Sequence, residues 1–286
     1  MVSSKISLVE SIMNVLSSEA NLLRLLNLAR RNPQTMLMLE DMLYNVFIHL
    51  GWTDADTHSY CCRLFEDEVI ELANWEASLV HCMPQPGLSN LKVAMAGRAE
   101  QVYAKFAEYL KPDVHVLDLG GGSGEIAELM MTDGRKVSVA DVRDWRRSSA
   151  VRFVKVHGNS IGWLDRTADL LTAFHTWHHS YNPEELVKES FRVVKPGGRV
   201  IIIETVADTL EEYLYTCFID WLYNRIFHYE ARPEDKVPVP CQFRSAVGWE
   251  QLIMRLYGLT PTVSTNLGIY QDLAPLHHHL LVYDLP

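Results

Sequence analysis

Ten residues constrain this chain more than any others: Val116-Leu117-Asp118-Leu119-Gly120-Gly121-Gly122-Ser123-Gly124-Glu125. An apolar run of strand character ends at Leu119, with an acid one residue before its end. Glycines follow at four of the next five positions, and helix-forming residues begin at Glu125. A strand that turns through glycines into a helix brings bare backbone up to a ligand, because no Cβ intervenes and positive φ is free. At the carboxyl edge of a parallel sheet, such a turn is where nucleotide-like ligands sit. A dinucleotide fingerprint, G-x-G-x-x-G, would need glycine where Glu125 stands, so that reading fails. The spacing present is G-x-G-x-G at Gly120, Gly122 and Gly124, behind Asp118. A pyrophosphate prefers amides with no acid beside them. An acid at the turn suits a cationic or zwitterionic ligand instead.

The flanking pattern extends the argument. Short apolar runs at Val114–Leu119, Val137–Val142, Ala150–Val156, Ala168–Phe174 and Gly198–Val206 predict five strands. Helical stretches at Glu125–Met131 and Pro183–Val194 lie between them, which implies a parallel sheet covered on both faces. Two last strands, Pro261–Ile269 and His278–Leu285, have a short connection that suits antiparallel pairing at the sheet edge. The expected fold is α/β: a Rossmann-like seven-stranded mixed sheet with helices on both faces, plus an N-terminal all-helical extension. Apolar residues at helical spacing from Leu8 to Leu28 predict the first helix, broken at Pro33. Met36–Leu50 is the next, and Thr53–Ser78 a third, opened by a Thr53…Asp56 capping pattern. The Pro/Gly/Ser/Asn-rich stretch 84–90 sets the domain boundary. The expected division is therefore 1–90, a cap or dimerisation extension, and 91–286, the ligand-binding domain, with a helical insertion at 207–232.

Asp141 ends the second predicted strand, about 20 residues beyond the glycines, where an acid accepts hydrogen bonds from both hydroxyls of a ribose. Val142 follows it. Together these segments resemble the class I S-adenosylmethionine-dependent methyltransferases, in particular the branch containing small-molecule enzymes of quinone biosynthesis. The resemblance covers about Arg98–Leu285. It implies that Val116–Glu125 is the family's first motif, with Asp118, Gly120, Gly121, Gly122 and Gly124 around the aminoacyl end of S-adenosylmethionine. It implies that Asp141 and Val142 hold the ribose side. Gly158-Asn159-Ser160 matches the family's Gly-Asp pair with an amide in place of the acid, and an amide oxygen still accepts a bond from an adenine amino group. Phe174 and His175 fall at the methyl-facing rim. His178-His179-Ser180 and Arg192-Val193-Val194-Lys195-Pro196-Gly197-Gly198-Arg199 match further family segments, the latter a structural turn into a central strand.

Methyl transfer from a sulfonium is an in-line displacement from an activated donor, so catalysis is mostly orientation. A base is needed only where the acceptor loses a proton, and His175, His178 and His179 are the candidates. Trp221, Tyr223, His228 and Tyr229, in the aromatic stretch Asp208–Tyr229, cannot all share one helix face and are candidate substrate contacts. Core packing is the alternative for that stretch. His277-His278-His279 alternates faces in a strand, which suits zinc poorly, and no residue is assigned to a metal.

Composition narrows the rest. The chain has 286 residues, 48% of them hydrophobic and 22% charged, enough for one or two cored domains. A formal net charge of -10 argues against a broad nucleic-acid surface. No apolar run approaches the roughly 18 residues of a membrane span. Five cysteines without a C-x-x-C pair read as free thiols in a reducing compartment, and the expected location is cytoplasmic. The expected partner is a small-molecule substrate, with no nucleic acid and no membrane span. The Leu/Met-rich segment 22–50 exceeds what one helix face buries, so these helices cap the site, stabilise the domain or form a homodimer. Two other functions stay open: a non-catalytic or partner-dependent S-adenosylmethionine binder, and a methyltransferase acting on protein or RNA.

Overall fold

The computed structural model describes residues 19–48, 52–66, 71–81, 97–227, 237–269 and 276–286. In chain order the elements begin with helices α1 (Glu19–Arg31), α2 (Pro33–Ile48), α3 (Asp54–Leu64), α4 (Leu72–His81) and α5 (Arg98–Phe106). Strand β1 (His115–Leu119), α6 (Glu125–Thr132), β2 (Lys136–Asp141), β3 (Arg152–His157), β4 (Ser160–Ile161) and β5 (Ala168–Phe174) follow. Then come α7 (Pro183–Val193), β6 (Val194–Thr205), α8 (Leu210–Phe227), α9 (Ala246–Tyr257), β7 (Val263–Gly268) and β8 (His278–Asp284). The chain forms two compact units. One comprises 1–96, 209–241 and 271–275, the other 97–208, 242–270 and 276–286.

The first unit is helical where it is described. As expected, the first helix stops before Pro33, at Arg31, and Pro33 itself opens α2, three residues before the expected start at Met36. Its missing N–H costs nothing in the first turn, and Asn32 Oδ1 caps the end by accepting from the N–H of Gln34 at 2.9 Å. Thr53 caps α3 as its spacing predicts, accepting from Asp56 N–H at 3.2 Å. Phe47 stacks on Trp52 with ring centroids 4.3 Å apart, and Tyr60 meets both edge-on. The single helix expected over 53–78 is in fact two. The Trp75 indole N–H donates to Leu64 O at 2.8 Å, satisfying one of the carbonyls that the end of α3 leaves exposed. On α8, Trp221 packs against Trp75 at 5.3 Å. The part of the first predicted helix that precedes residue 19 and the boundary at 84–90 lie outside the described residues.

The second unit is an eight-stranded sheet in the order β4-β3-β2-β1-β5-β6-β8-β7. Strands β3, β2, β1, β5 and β6 run parallel. Strand β8 is antiparallel to β6, and β7 to β8. The extra strand relative to the seven expected is β4, two residues that turn back on β3 through His157 and Ser160. A two-residue strand carries no periodicity to read.

Alternation along the strands feeds two cores. Leu117, Leu119, Leu171 and Ile202 face Leu186, Phe191, Trp249 and Leu252 of α7 and α9. Val116, Val139, Leu170 and Ile201 face Val102, Phe106, Ala127 and Met130 of α5 and α6. β1 lies between β2 and β5, so the chain's path along the sheet reverses there, the kind of switch point beside which open α/β sheets bind ligands.

Strand β6 begins at Val194, four residues before the expected start. The Pro196-Gly197-Gly198 segment is carried inside it, with a pairing irregularity between Ala168 and Leu170 opposite. A Cβ on Gly198 would lie 2.5 Å from Val194 Cγ1, 2.7 Å from Lys195 O and 2.8 Å from Asp169 O. Two of these neighbours are backbone and cannot turn aside. Gly198→Ala is therefore expected to destabilise the protein by about 1–3 kcal/mol, read as a lowered urea midpoint with an unchanged slope. An unaltered midpoint would show that β6 accommodates the methyl.

Candidate functional site

The glycine turn is built from the end of β1. Gly120 N–H donates to Ala140 O at 2.7 Å, and Gly124 N–H to Gly121 O at 2.9 Å. Gly120, Gly122 and Gly124 have φ of 71°, 51° and 83°, a region that side-chain-bearing residues rarely occupy. Two glycines are also fixed by close approach. A Cβ on Gly120 would collide with the Thr176 side chain, whose Cγ2 would lie 2.6 Å away. A Cβ on Gly121 would lie 2.5 Å from Asp118 Oδ2 and 2.9 Å from Val139 Cγ2. Gly124 then serves as the N-cap of α6.

Asp118 sits beneath this turn, 1% exposed. Its Oδ1 accepts from Thr172 Oγ1–H at 2.6 Å, its register partner on β5. Its Oδ2 is buried with no hydrogen-bond partner among the described residues. Burial pushes the carboxyl up to about 7, against the pull of the Thr172 bond. A buried carboxylate oxygen without a partner is rare in folded proteins and marks this position for a functional explanation.

Asp141 ends β2 beside the turn. Its Oδ2 accepts from Gly122 N–H at 3.1 Å, and its Oδ1 from Arg143 N–H at 3.4 Å. Burial raises its pKa, opposed by those backbone donors. Val142 is exposed, and its carbonyl accepts from Lys155 Nζ. Asn159 spends its amide on local structure: Oδ1 accepts from Ser180 Oγ at 2.7 Å, and Nδ2 donates to Asn182 O at 3.2 Å. Ser160 opens β4 and is exposed. Phe174 is mostly core, its ring 4.3 Å from that of Phe106.

The histidines gather at the same sheet edge. His175 follows β5 with φ of 51°, unusual for a residue with a Cβ, and its N–H donates to Ile203 O at 2.8 Å. Its ring meets His278 edge-on at 4.8 Å. Dense surroundings hold His175 well below the usual imidazole range, and burial takes His278 down to about 3. Both are neutral at neutral pH. His178 donates through Nδ1 to Glu204 Oε2 at 2.6 Å, with both side chains buried, and stacks on Phe243 at 4.5 Å. His179 lies beside it, ring centroids 4.3 Å apart.

Glu204 is the residue organising this edge that sequence reading missed. Its Oε1 also accepts from Thr176 N–H at 3.1 Å and Trp177 N–H at 2.7 Å. This one buried carboxylate on β6 thus holds the turn that carries all three candidate histidines and the Thr176 wall against Gly120. The available signal was an acid inside the apolar run Val200–Val206.

The structure therefore brings Asp118, Gly120, Gly121, Gly122, Gly124, Asp141, His175, His178 and His179 to one edge of the second unit. Trp221 and Tyr223 belong to the first unit, where Trp221 is fully buried against Trp75 and Phe218. His228 and Tyr229 lie outside the described residues. Arg225, on the same helix as Trp221, is salt-bridged to Glu76 at 3.0 Å.

A family model described as a methyltransferase domain matches residues 91–260. The ubiquinone/menaquinone biosynthesis C-methyltransferase of Vibrio cholerae is 27% identical over 135 residues, 41% of this chain and 52% of that protein. The enzyme of the same description from Cronobacter sakazakii is 27% identical over 104 residues, 31% and 41% of the two chains. The chain thus spans about half the length of the curated relatives it matches. A crystal structure of a SAM-dependent methyltransferase from Aquifex aeolicus is 19% identical, covers 71% of this chain and 100% of its own, and has a TM-score of 0.47.

The raised pKa of Asp118 has a testable sign. An unfolded carboxyl titrates near 3.8 and the folded one near 7. Between those values the folded chain keeps a proton the unfolded chain has lost, so this group's contribution to stability falls as pH rises through that window. Asp118→Asn is uncharged throughout. Urea unfolding of both proteins at about pH 4.5 and about pH 8 is expected to show the variant gaining on the wild type at the higher pH. A pH-independent difference would mean that Asp118 carries no such strain.

Proposed function

This chain belongs to the methyltransferase domain family, and on that premise we propose that it transfers the methyl group of S-adenosylmethionine to a small-molecule acceptor. The observation that carries the proposal is the glycine turn lying over the buried, unpartnered Oδ2 of Asp118. The residues fit the cofactor's chemistry. Asp118 offers negative charge to a cationic, phosphate-free ligand. Asp141 offers a carboxylate at the ribose position and already braces Gly122. Val142, Asn159, Ser160 and Phe174 complete the proposed cofactor side.

When bound, the cofactor supplies a methyl group activated by its sulfonium. The chain's own task is to hold the two reactants in line, a contribution worth up to about 7–11 kcal/mol. Where the acceptor must lose a proton, His178 is the best-held candidate. Its Nδ1–H is committed to Glu204, whose carboxylate would stabilise the imidazolium formed when the ring takes up a proton. His175, depressed by burial, is a neutral hydrogen-bonding wall at neutral pH rather than a charge.

The names of the curated relatives support a small metabolite as acceptor, and the net charge of -10 supports this over nucleic acid. Among the described residues no helix is long and apolar enough to cross a membrane. Cys61, Cys62, Cys217 and Cys241 are free thiols, which supports a cytoplasmic setting. The N-terminal helices, where Leu28 and Leu37 are exposed, are the surface through which a homodimer would form.

Two measurements test the reading. Titration calorimetry should show S-adenosylmethionine binding weakened at least about tenfold by Asp141→Ala, roughly 1.4 kcal/mol. Unchanged affinity would remove Asp141 from the site. Incubation with methyl-labelled cofactor and fractionated extract should place the label in small metabolites. Label in RNA or protein would overturn the acceptor class, and binding without label would leave a non-catalytic binder.

A further inference from the structure

We propose that Glu40, His58 and Cys62 form a binding site for a zinc-class divalent cation on the helical unit, remote in sequence from the glycine turn and independent of the methyl-transfer reading. His58 and Cys62 stand four residues apart on α3, one turn above each other on the same face. Glu40 comes from the neighbouring helix α2. Cys62 Sγ lies 3.6 Å from His58 Nε2, and Glu40 Oε1 lies 4.0 Å from His58 Nδ1. One donor atom from each residue falls within 4.8 Å of the other two.

A tetrahedral zinc, with bonds of about 2.0–2.3 Å, requires donor atoms about 3.5 Å apart. With one donor atom from each residue within 4.8 Å of the others, the side chains need to close by up to about 1.3 Å, which side-chain torsions alone can supply. His58 and Cys62 are exposed, so no packing resists that adjustment.

The backbone beneath is already fixed. The Phe47–Trp52–Tyr60 ring cluster joins α2 to α3. Tyr44 Oη–H donates to Asp54 Oδ1 at 2.8 Å, a second bond between the same two helices. Cys61, next to Cys62, is fully buried, and burial pushes its thiol up to about 12. The two adjacent cysteines therefore have opposite tasks: Cys61 packs, and Cys62 presents its sulfur to solvent beside an imidazole and a carboxylate.

The donor set chooses the ion. Thiolate with imidazole suits zinc and its borderline-soft neighbours, whereas magnesium and calcium take oxygen ligands. Binding displaces the Cys62 thiol proton to solvent as the sulfur–metal bond forms. Three protein ligands leave the fourth position for water. The bound ion would join α2 to α3 at their exposed rim, and by mass action it would stabilise the folded state.

The test uses the full-length protein, reduced and stripped of metal. Titration with cobalt(II) should give one equivalent bound, with a thiolate-to-cobalt charge-transfer band in the near ultraviolet and the intense visible bands of tetrahedral cobalt. Zinc should displace it. Cys62→Ser should abolish the charge-transfer band, and His58→Ala should weaken zinc at least about tenfold. Both positions are exposed, and unchanged far-ultraviolet circular dichroism would establish that the variants fold. No charge-transfer band in the wild type would overturn the proposal. So would one-equivalent zinc binding that survives the His58→Ala/Cys62→Ser double substitution, because the ion would then lie elsewhere.

Discussion

The carboxyl edge of the sheet depends on one close approach: the backbone of Gly121 passes over the Asp118 carboxylate with no side chain between them. A Cβ there would lie 2.5 Å from Oδ2. The approach has two consequences. It buries Asp118 and lifts its pKa to about 7, and it delivers the N–H of Gly122 to Asp141 at 3.1 Å. The turn is thus tied to β1 from below and to β2 from the side. Burying a carboxyl with one oxygen unpartnered costs stability, a cost a folded protein carries at a functional site. A cationic ligand placed above the turn would offset it.

The other wall of the edge rests on a second buried acid. Glu204 gathers the N–H groups of Thr176 and Trp177 and the imidazole of His178. Thr176 in turn donates to Leu119 O at 3.2 Å and stands where a Cβ on Gly120 would go. The histidine turn and the glycine turn therefore meet at Thr176. Strands β1, β2, β5 and β6 each contribute to the edge, and their parallel register places the contributing ends side by side. The architecture supplies the fixed positions that the proposed reaction, dominated by orientation, would require. Rigid strands hold the loops, and the loops hold the polar atoms.

Much of this was legible before the fold was known. The strand at Ala168–Phe174 matches its predicted bounds, and β1 and β2 agree to within a residue, because buried parallel strands read as short apolar runs between turn signals. The glycine motif and Asp141 were visible because their spacing is local and the chemistry demands those residue types. Glu204 was not visible as a ligand of His178, because the two stand 26 residues apart in sequence. Only the parallel pairing of β5 with β6 brings them together. The break at Pro33 was legible because proline cannot continue a helix, whereas the Asn32 cap that lets it open the next helix rests on backbone geometry. The 53–78 segment was read as continuous because periodicity does not register where Trp75 folds back to Leu64. Trp221 has the composition of a lid residue, yet its place against Trp75 and Phe218 is core, a distinction that only packing makes.

The central claim is that the edge formed by the ends of β1 and β2 is where S-adenosylmethionine binds. Hydrogen–deuterium exchange with and without the cofactor reads that edge directly, amide by amide, with no acceptor required. Binding at this edge should slow exchange in 118–124 and 141–143, where the turn and the Asp141 loop would be covered, and leave exchange unchanged at β7, on the far edge of the same sheet. Protection elsewhere with none at the glycine turn, or no protection at saturating cofactor, would contradict it.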